Sequence, residues 1–109
     1  MQESRPTQNK KQAWSHLTQR YVEDLPQQLE TIRSCLDYDD FDGIVRHAHR
    51  AKGTSATYRL EKIAAQFSAL EKAAQARQAQ RVLESVIHLA ELVAQMRVAL
   101  SDTEGNAHG

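Results

Sequence analysis

The stretch Ala48-His49-Arg50-Ala51-Lys52-Gly53-Thr54-Ser55 lies in the middle of a segment with helical periodicity. A glycine in mid-helix costs roughly 0.5–1 kcal/mol relative to alanine, so its presence needs a reason. Positions i, i+3 and i+4 share one face of a helix, so His49, Lys52 and Gly53 form one patch. That patch combines a nucleophilic imidazole, a cation and open space. It favours a histidine that receives a bulky anionic group.

The helix that carries this stretch is predicted to begin after Asp37-Tyr38-Asp39-Asp40, which supplies candidates for the N-cap, and to run to about Thr57. Its inner face is formed by apolar and small side chains, namely Phe41, Ile44, Val45, Ala48, Ala51 and Ser55. His49 falls at the border of this stripe and not in its centre.

The chain on both sides repeats the helical pattern. From Trp14 through Leu17 to Leu36 the apolar spacing predicts either two helices, about 12–23 and 25–37, or one helix kinked near Pro26. Two more helices follow, separated by a short break around Ala76 to Ala79. Their inner faces carry Leu60, Ile63, Ala64, Phe67, Leu70 and Ala74 in the first, and Val82, Leu83, Val86, Ile87, Leu89, Ala90, Val93, Met96 and Leu100 in the second.

No stretch alternates as a β-strand does. The sequence therefore predicts an all-α fold, an antiparallel four-helix bundle with a short or kinked extra N-terminal helix. Residues 1–11 are interpreted as a polar tail or linker, 12–101 as the helical bundle and 102–109 as a polar tail.

Charge is balanced overall but uneven along the chain. The 109 residues include 14 basic and 14 acidic ones, a net charge of zero that argues against a nucleic-acid partner. Glu23 to Asp42 holds seven acidic residues and one basic residue, whereas Arg46 to Lys62 holds five basic residues and one acidic residue. The positive segment surrounds His49 and suits a phosphoryl group or an acidic partner.

The cysteine content and the lengths of the apolar runs indicate where in the cell the protein is expected. Cys35 is the only cysteine, so no intramolecular disulfide forms and a reducing, cytoplasmic location is expected. No apolar run reaches membrane-spanning length and the N-terminus lacks a signal-peptide core, so no direct membrane contact is expected.

The histidines do not suggest a metal site. His47 and His49 are about 160° apart around a helix axis, and no His pair has the i, i+4 spacing of zinc ligands. His16, His88 and His108 fit solvated or structural roles. His49 with Lys52 also fits the plain polar edge of an amphipathic helix, and the mid-helix glycine favours the functional interpretation.

The segment His49–Ser55 resembles the His-x-Leu-Lys-Gly-Ser-Ser signature of histidine-containing phosphotransfer (HPt) domains. Phe67-Ser68-Ala69-Leu70-Glu71 is similar to the third bundle helix of that family, and the resemblance covers about residues 14–100. It implies a four-helix bundle with the phosphorylated histidine on the second bundle helix. Two residues depart from the family pattern: Ala51 stands in place of the usual leucine, and Arg59 stands where a glycine is frequent.

The resemblance also implies roles for individual residues. His49 would be the phosphoacceptor, Lys52 its electrostatic partner, and Gly53 the source of steric clearance. Glu71 would accept a hydrogen bond from Nδ1 of the histidine and so orient Nε2. The basic side chains Arg46, Arg50, Arg59 and Lys62, together with Lys52, are expected to dock the acidic pocket of a partner.

The function implied by the resemblance is that of a phosphorelay intermediate. A response-regulator receiver domain would give its phosphoryl group to His49, which would pass it to another receiver domain. Such a domain is a phosphocarrier and not an enzyme; it needs no cofactor, and any Mg²⁺ belongs to the receiver. A sensor histidine kinase is a further expected partner, and attachment to the C-terminus of a hybrid kinase stays open. The alternative is a helical interaction module in which His49 is never phosphorylated.

Overall fold

The computed structural model describes residues 4–108, with side chains described for residues 16–100. Four helices make up this part of the chain: α1 (Ser4–Asp37), α2 (Phe41–Thr57), α3 (Glu61–Gln75) and α4 (Ala79–His108). Each helix packs against the next one, and α1 also packs against α4, which closes the ring. The structure confirms the predicted all-α bundle.

One apolar core lies between the four helices. Its largest fully buried side chains come from all of them, and the cluster is completed by small residues of α2 and α3. The fully buried residues with the greatest volume are Phe67, Leu25, Ile32, Ile44, Ile63, Leu70 and Leu89. Burial of such side chains stabilises a fold by about 1.5–3 kcal/mol each, so the core fixes how the helices are rotated.

Pro26 lies inside α1, which is a single helix from Ser4 to Asp37. Of the two alternatives predicted for this region, the single helix is therefore the one observed, and the expected extra N-terminal helix is the first part of α1. A proline removes one backbone hydrogen bond and costs roughly 3 kcal/mol inside a helix. The burial of Leu25 and Leu29 on either side of it offsets that cost.

Helical backbone extends into both stretches predicted to be tails. Residues 4–11 belong to α1 and residues 102–108 to α4. Pro6 falls in the first turn of α1, where proline is tolerated, and the lysines and glutamines that follow it are good helix formers. The side chains of both stretches, and that of Trp14, lie outside the described residues.

Some apolar side chains predicted to face inward are on the surface. Ile87 is 53% exposed and Leu17 is 45% exposed. Ala90 is exposed as well. In α4, apolar residues cover more of the helix surface than the core can bury, so periodicity alone could not tell which stripe faces inward.

The three turns between the helices share one geometry. The middle residue of each turn has a positive φ, with values of 56°, 61° and 55° at Asp39, Arg59 and Arg77. The next residue donates its N–H to a carbonyl five positions back, as Leu60 does to Ser55 at 2.9 Å. This is the Schellman arrangement that ends many helices. It ends α2 at Thr57 and places the break between α3 and α4 at 76–78, as predicted.

Arg59 occupies a backbone position that favours glycine. A side chain in the left-handed region costs roughly 1–2 kcal/mol, whereas glycine costs roughly 0.5–1 kcal/mol through the greater freedom of the unfolded chain. We therefore expect Arg59→Gly to raise the free energy of unfolding by about 0.5–1 kcal/mol in urea titrations. Arg59→Ala is the matched control, because it removes the same side chain and keeps Cβ. A glycine variant no more stable than the alanine variant would contradict the expectation.

Candidate functional site

The start of α2 is fixed by its N-cap. Asp40 accepts a hydrogen bond from the backbone N–H of Gly43 at 2.9 Å, which satisfies one of the free donors of the first turn. A Cβ atom at position 43 would overlap the Asp40 carboxylate, so a larger residue there would require this capping side chain to shift. Asp40 was one of the predicted cap candidates, and the structure confirms it.

A second contact holds α2 against α1. The Tyr21 hydroxyl lies 3.0 Å from the Ser55 hydroxyl and 3.3 Å from the Ala51 carbonyl oxygen. Ser55 is fully buried, and the Tyr21 ring stacks on Tyr58 with ring centroids 5.2 Å apart. Burial raises the pKa of Tyr21 above 10.0, which keeps the phenol protonated. The contact helps to set the rotation of α2 and therefore the direction in which His49 points.

One feature of the sequence indicated this contact. Ser55 falls on the predicted inner face of α2, and a buried hydroxyl needs a hydrogen-bond partner. Nothing in the spacing identified Tyr21, which is 34 positions away.

Glu71 of α3 brings His49 and Lys52 of α2 together. One carboxylate oxygen lies 3.0 Å from Nδ1 of His49, and the other accepts a hydrogen bond from Nζ of Lys52 at 2.9 Å. The Glu71 side chain is only 12% exposed, whereas that of His49 is 69% exposed. Three residues predicted to share a site are thus in direct contact across the α2–α3 groove.

The arrangement distinguishes the two ring nitrogens of His49. A carboxylate only accepts hydrogen bonds, so Nδ1 carries the proton that points at Glu71. In the neutral imidazole, Nε2 then keeps its lone pair, and it is the nitrogen not held by Glu71. The site therefore presents a nucleophilic nitrogen on an exposed ring.

The charge on Glu71 is maintained by its partners. The hydrogen bond from Lys52 lowers the pKa of Glu71 below 4.5, burial opposes this, and the hydrogen bond from His49 lowers it further. The carboxylate is ionised at neutral pH as a result. It therefore acts as the acceptor for the Nδ1 proton of His49.

Gly53 borders the site and has no packing role. It is exposed, and a Cβ atom built at this position would have no contact within 4 Å apart from its own helix backbone. The glycine is therefore not needed for close approach of another helix. It leaves a bare patch of surface one helical turn after His49.

The predicted docking residues are spread over several faces. Arg46 is exposed three positions before His49. Arg50 lines a groove between α1 and α2 together with His47. Arg59 and Lys62 line a groove between α3 and α4. Lys62 precedes Glu71 by nine positions, which is half a turn around α3, so it lies on the side of α3 away from His49.

The described residues also bear on metal binding, thiol chemistry and membrane insertion. They contain no group of His, Cys, Asp and Glu side chains that could hold a metal ion. The half-buried Cys35 has a raised pKa, chiefly because burial disfavours the thiolate, which is the nucleophilic form. Within the same range, the helices are too short or too polar to cross a bilayer.

Comparison with known proteins identifies the family. A model of the Hpt domain matches residues 16–102, which include the whole α2–α3 site. Comparisons with curated proteins and with solved structures gave no match. Because the family match covers most of the chain and the fold is the expected bundle, this chain belongs to the Hpt domain family of phosphotransfer modules in two-component signalling.

Proposed function

We propose that this Hpt domain is a phosphorelay intermediate with His49 as its phosphoacceptor. It takes a phosphoryl group from the aspartate of one response-regulator receiver domain and passes it to the aspartate of another. The observation that supports this most directly is the contact of Glu71 with Nδ1, which leaves Nε2 on an exposed ring.

The transfer step follows from that geometry. The Nε2 lone pair attacks the phosphorus of the aspartyl phosphate, the bond from phosphorus to the aspartate oxygen breaks, and the carboxylate leaves. The ring gains positive charge, and Glu71 stabilises this charge while Nδ1 keeps its proton. Lys52 adds a cation beside the acceptor that favours the arriving phosphoryl oxygens. In the return step the same bonds form and break in the opposite order.

The phosphotransfer takes place in the cytoplasm, where a thiol such as that of Cys35 stays reduced. Receiver domains are the direct partners, and a sensor histidine kinase stands upstream of them. The domain itself supplies no cofactor in this scheme; Mg²⁺ enters with the receiver. Attachment to a hybrid kinase is compatible with the same chemistry.

A two-step relay assay tests the function. The purified domain is mixed with a receiver carrying radiolabelled phosphoryl on its aspartate, isolated, and then mixed with a second, unlabelled receiver. Label that moves onto the domain and then onto the second receiver is the expected result. A domain that binds the receiver without acquiring label would favour the interaction module instead.

Docking should depend on Arg46, an exposed cation about one helical turn before His49. Arg46 lies on α2 next to His49, whereas Arg33 is an exposed arginine of α1. We expect Arg46→Glu to slow transfer from the receiver by roughly tenfold at low salt, and we expect this difference to shrink as ionic strength rises. Arg33→Glu makes the same change in net charge and should transfer at nearly the wild-type rate. Equal slowing of both variants would show that only net charge matters.

A larger residue at position 53 should stabilise the fold and at the same time slow phosphotransfer. Because an added side chain would meet no neighbour there, Gly53→Gln should raise the free energy of unfolding by roughly 0.5–1 kcal/mol. The same side chain would project beside His49, so we expect transfer from the receiver to slow. Thermal unfolding and transfer are measured on one preparation, with Gly53→Ala as the smaller step. Full transfer activity in the glutamine variant would show that Gly53 is not needed to leave room for the partner.

A further inference from the structure

The groove between α3 and α4 lies on the other side of α3 from His49. Two cavities follow one another along it, one of about 490 Å³ near the start of α4 and one of about 350 Å³ near the start of α3. Basic side chains that the phosphotransfer site does not use line both of them. Most residues that line the larger cavity are polar, and the smaller cavity has an apolar floor.

The cavity near the start of α4 is lined by Lys72, Arg81 and His88. Glu84 is the acidic side chain at its edge, and the other lining groups are neutral, namely Gln66, Ala69, Ala73, Gln78 and Ser85. Across residues 16–100, Lys72 and Arg81 take part in none of the ion pairs that the structure shows. Lys72 and Arg81 are therefore exposed cations that line this cavity and can pair with a bound anion.

The cavity near the start of α3 combines charge with apolar surface. Arg59 and Lys62 line it, again without an ion pair in the described part of the chain. Glu61 is the acidic side chain there. Its apolar floor comes from both helices and consists of Leu60, Ile63, Leu92 and Met96.

The charge of the groove differs from that of the chain. The chain has no net charge, whereas the groove is lined by Arg59, Lys62, Lys72 and Arg81 against Glu61 and Glu84. A local excess of positive charge attracts anionic partners and repels cationic ones. The apolar floor near α3 would be left uncovered by a simple anion such as phosphate. A partner that fits both features carries carboxylates and apolar side chains on one segment.

We infer that the α3–α4 groove binds an acidic amphipathic segment of a partner protein. Its carboxylates pair with Arg59, Lys62, Lys72 and Arg81, and its apolar side chains cover Leu92 and Met96. An amphipathic helix seated in a groove between two helices is a common mode of peptide recognition. Because Lys62 is half a turn away from Glu71 around α3, the bound segment leaves the α2–α3 groove open. The inference therefore does not rest on phosphorylation of His49.

A peptide titration tests it. The ¹⁵N-labelled domain is titrated with the synthetic peptide acetyl-ELLEELLEELLE-amide and with a matched peptide in which every glutamate is lysine. We expect the acidic peptide to shift amide resonances of both helices along the α3–α4 groove, and the basic peptide to leave these resonances unchanged. Affinity should fall with rising salt, since the contacts involve exposed charges.

Charge-reversal variants locate the binding. Lys62→Glu combined with Arg81→Glu should weaken the acidic peptide by roughly tenfold or more. Arg20→Glu combined with Arg33→Glu is the matched control, since both arginines are exposed on α1 and the change in net charge is the same. Single alanine variants at Lys62 and Arg81 provide smaller steps if the double variant does not fold by circular dichroism.

Three results would overturn the inference. The first is an absence of shifts with the acidic peptide at millimolar concentration. The second is a set of shifts confined to the α2–α3 groove around His49. The third is equal weakening by the groove variant and the α1 variant, which would show attraction to net charge without a site. Each of these results is independent of the relay assay, so failure of the groove and failure of the proposed function can be distinguished.

Discussion

His49→Gln is expected to acquire no acid-labile phosphoryl label from a phosphorylated receiver, while His47→Gln is labelled like the wild type. Glutamine keeps a similar length and polarity but has no nucleophilic nitrogen, so the expected loss is complete. His47 lies two positions away on the same helix, yet it lines the groove between α1 and α2. Glu71 accepts a hydrogen bond from Nδ1 of His49 and does not contact His47.

The pair of variants makes the outcome informative. His49 is exposed and belongs to no core cluster, so both substitutions should leave thermal unfolding unchanged. Acid-labile label that persists on a folded His49→Gln domain would contradict the assignment of the phosphoacceptor. Loss of label in His47→Gln alone would show that the acceptor is His47, in the α1–α2 groove.

Glu71→Gln is expected to slow transfer by roughly ten- to a hundredfold, by analogy with the loss of a group that orients a metal-ligating histidine. A carboxylate accepts at both oxygens, and here it receives Nζ of Lys52 at 2.9 Å and faces Nδ1 of His49 at 3.0 Å. An amide of the same shape accepts at one end and donates at the other. Either one of the two donors then faces another donor, or His49 moves its proton to Nε2 and loses the free lone pair there. Glu30→Gln, an exposed substitution on α1, is the matched control.

The same variant should change how stability depends on pH. Because the pKa of Glu71 is lowered below 4.5 in the folded domain, its charge stabilises the fold fully above pH 4.5. That contribution is lost as pH falls through the folded-state pKa. The difference in urea midpoint between wild type and Glu71→Gln should therefore be largest near pH 7 and should shrink toward pH 3. A difference that is constant over this range would show that the charge of Glu71 contributes nothing to folding.

Much of the site follows from local spacing. His49, Lys52 and Gly53 lie within five consecutive residues, and the helical repeat alone puts them on one face. The helices themselves follow from the same repeat, which also predicted their inner faces through most of α2 and α3. Glu71 was different, because it lies 22 positions from His49. Only the family resemblance pointed to it, since helical spacing relates residues of one helix and not residues of two.

Tertiary packing decided which cations share a face with His49. In the sequence, Arg46, Arg50, Arg59 and Lys62 form one basic segment. In the fold, Arg50 lines the α1–α2 groove, whereas Arg59 and Lys62 line the α3–α4 groove. The turn at 58–60 reverses the chain, and the rotation of each helix is set by the side chains it buries. Charge counted along the chain therefore did not predict charge around the site.

The sequence by itself determined that the chain is helical, where its turns lie and which residues form the patch on α2, because each depends on contacts within a few residues. Only the tertiary structure decided that α1 continues through Pro26, that Tyr21 meets Ser55, and that Glu71 lies against His49 and Lys52. These features depend on how separate helices pack, and that packing reflects burial summed over the whole core. No short segment of the chain contains that information.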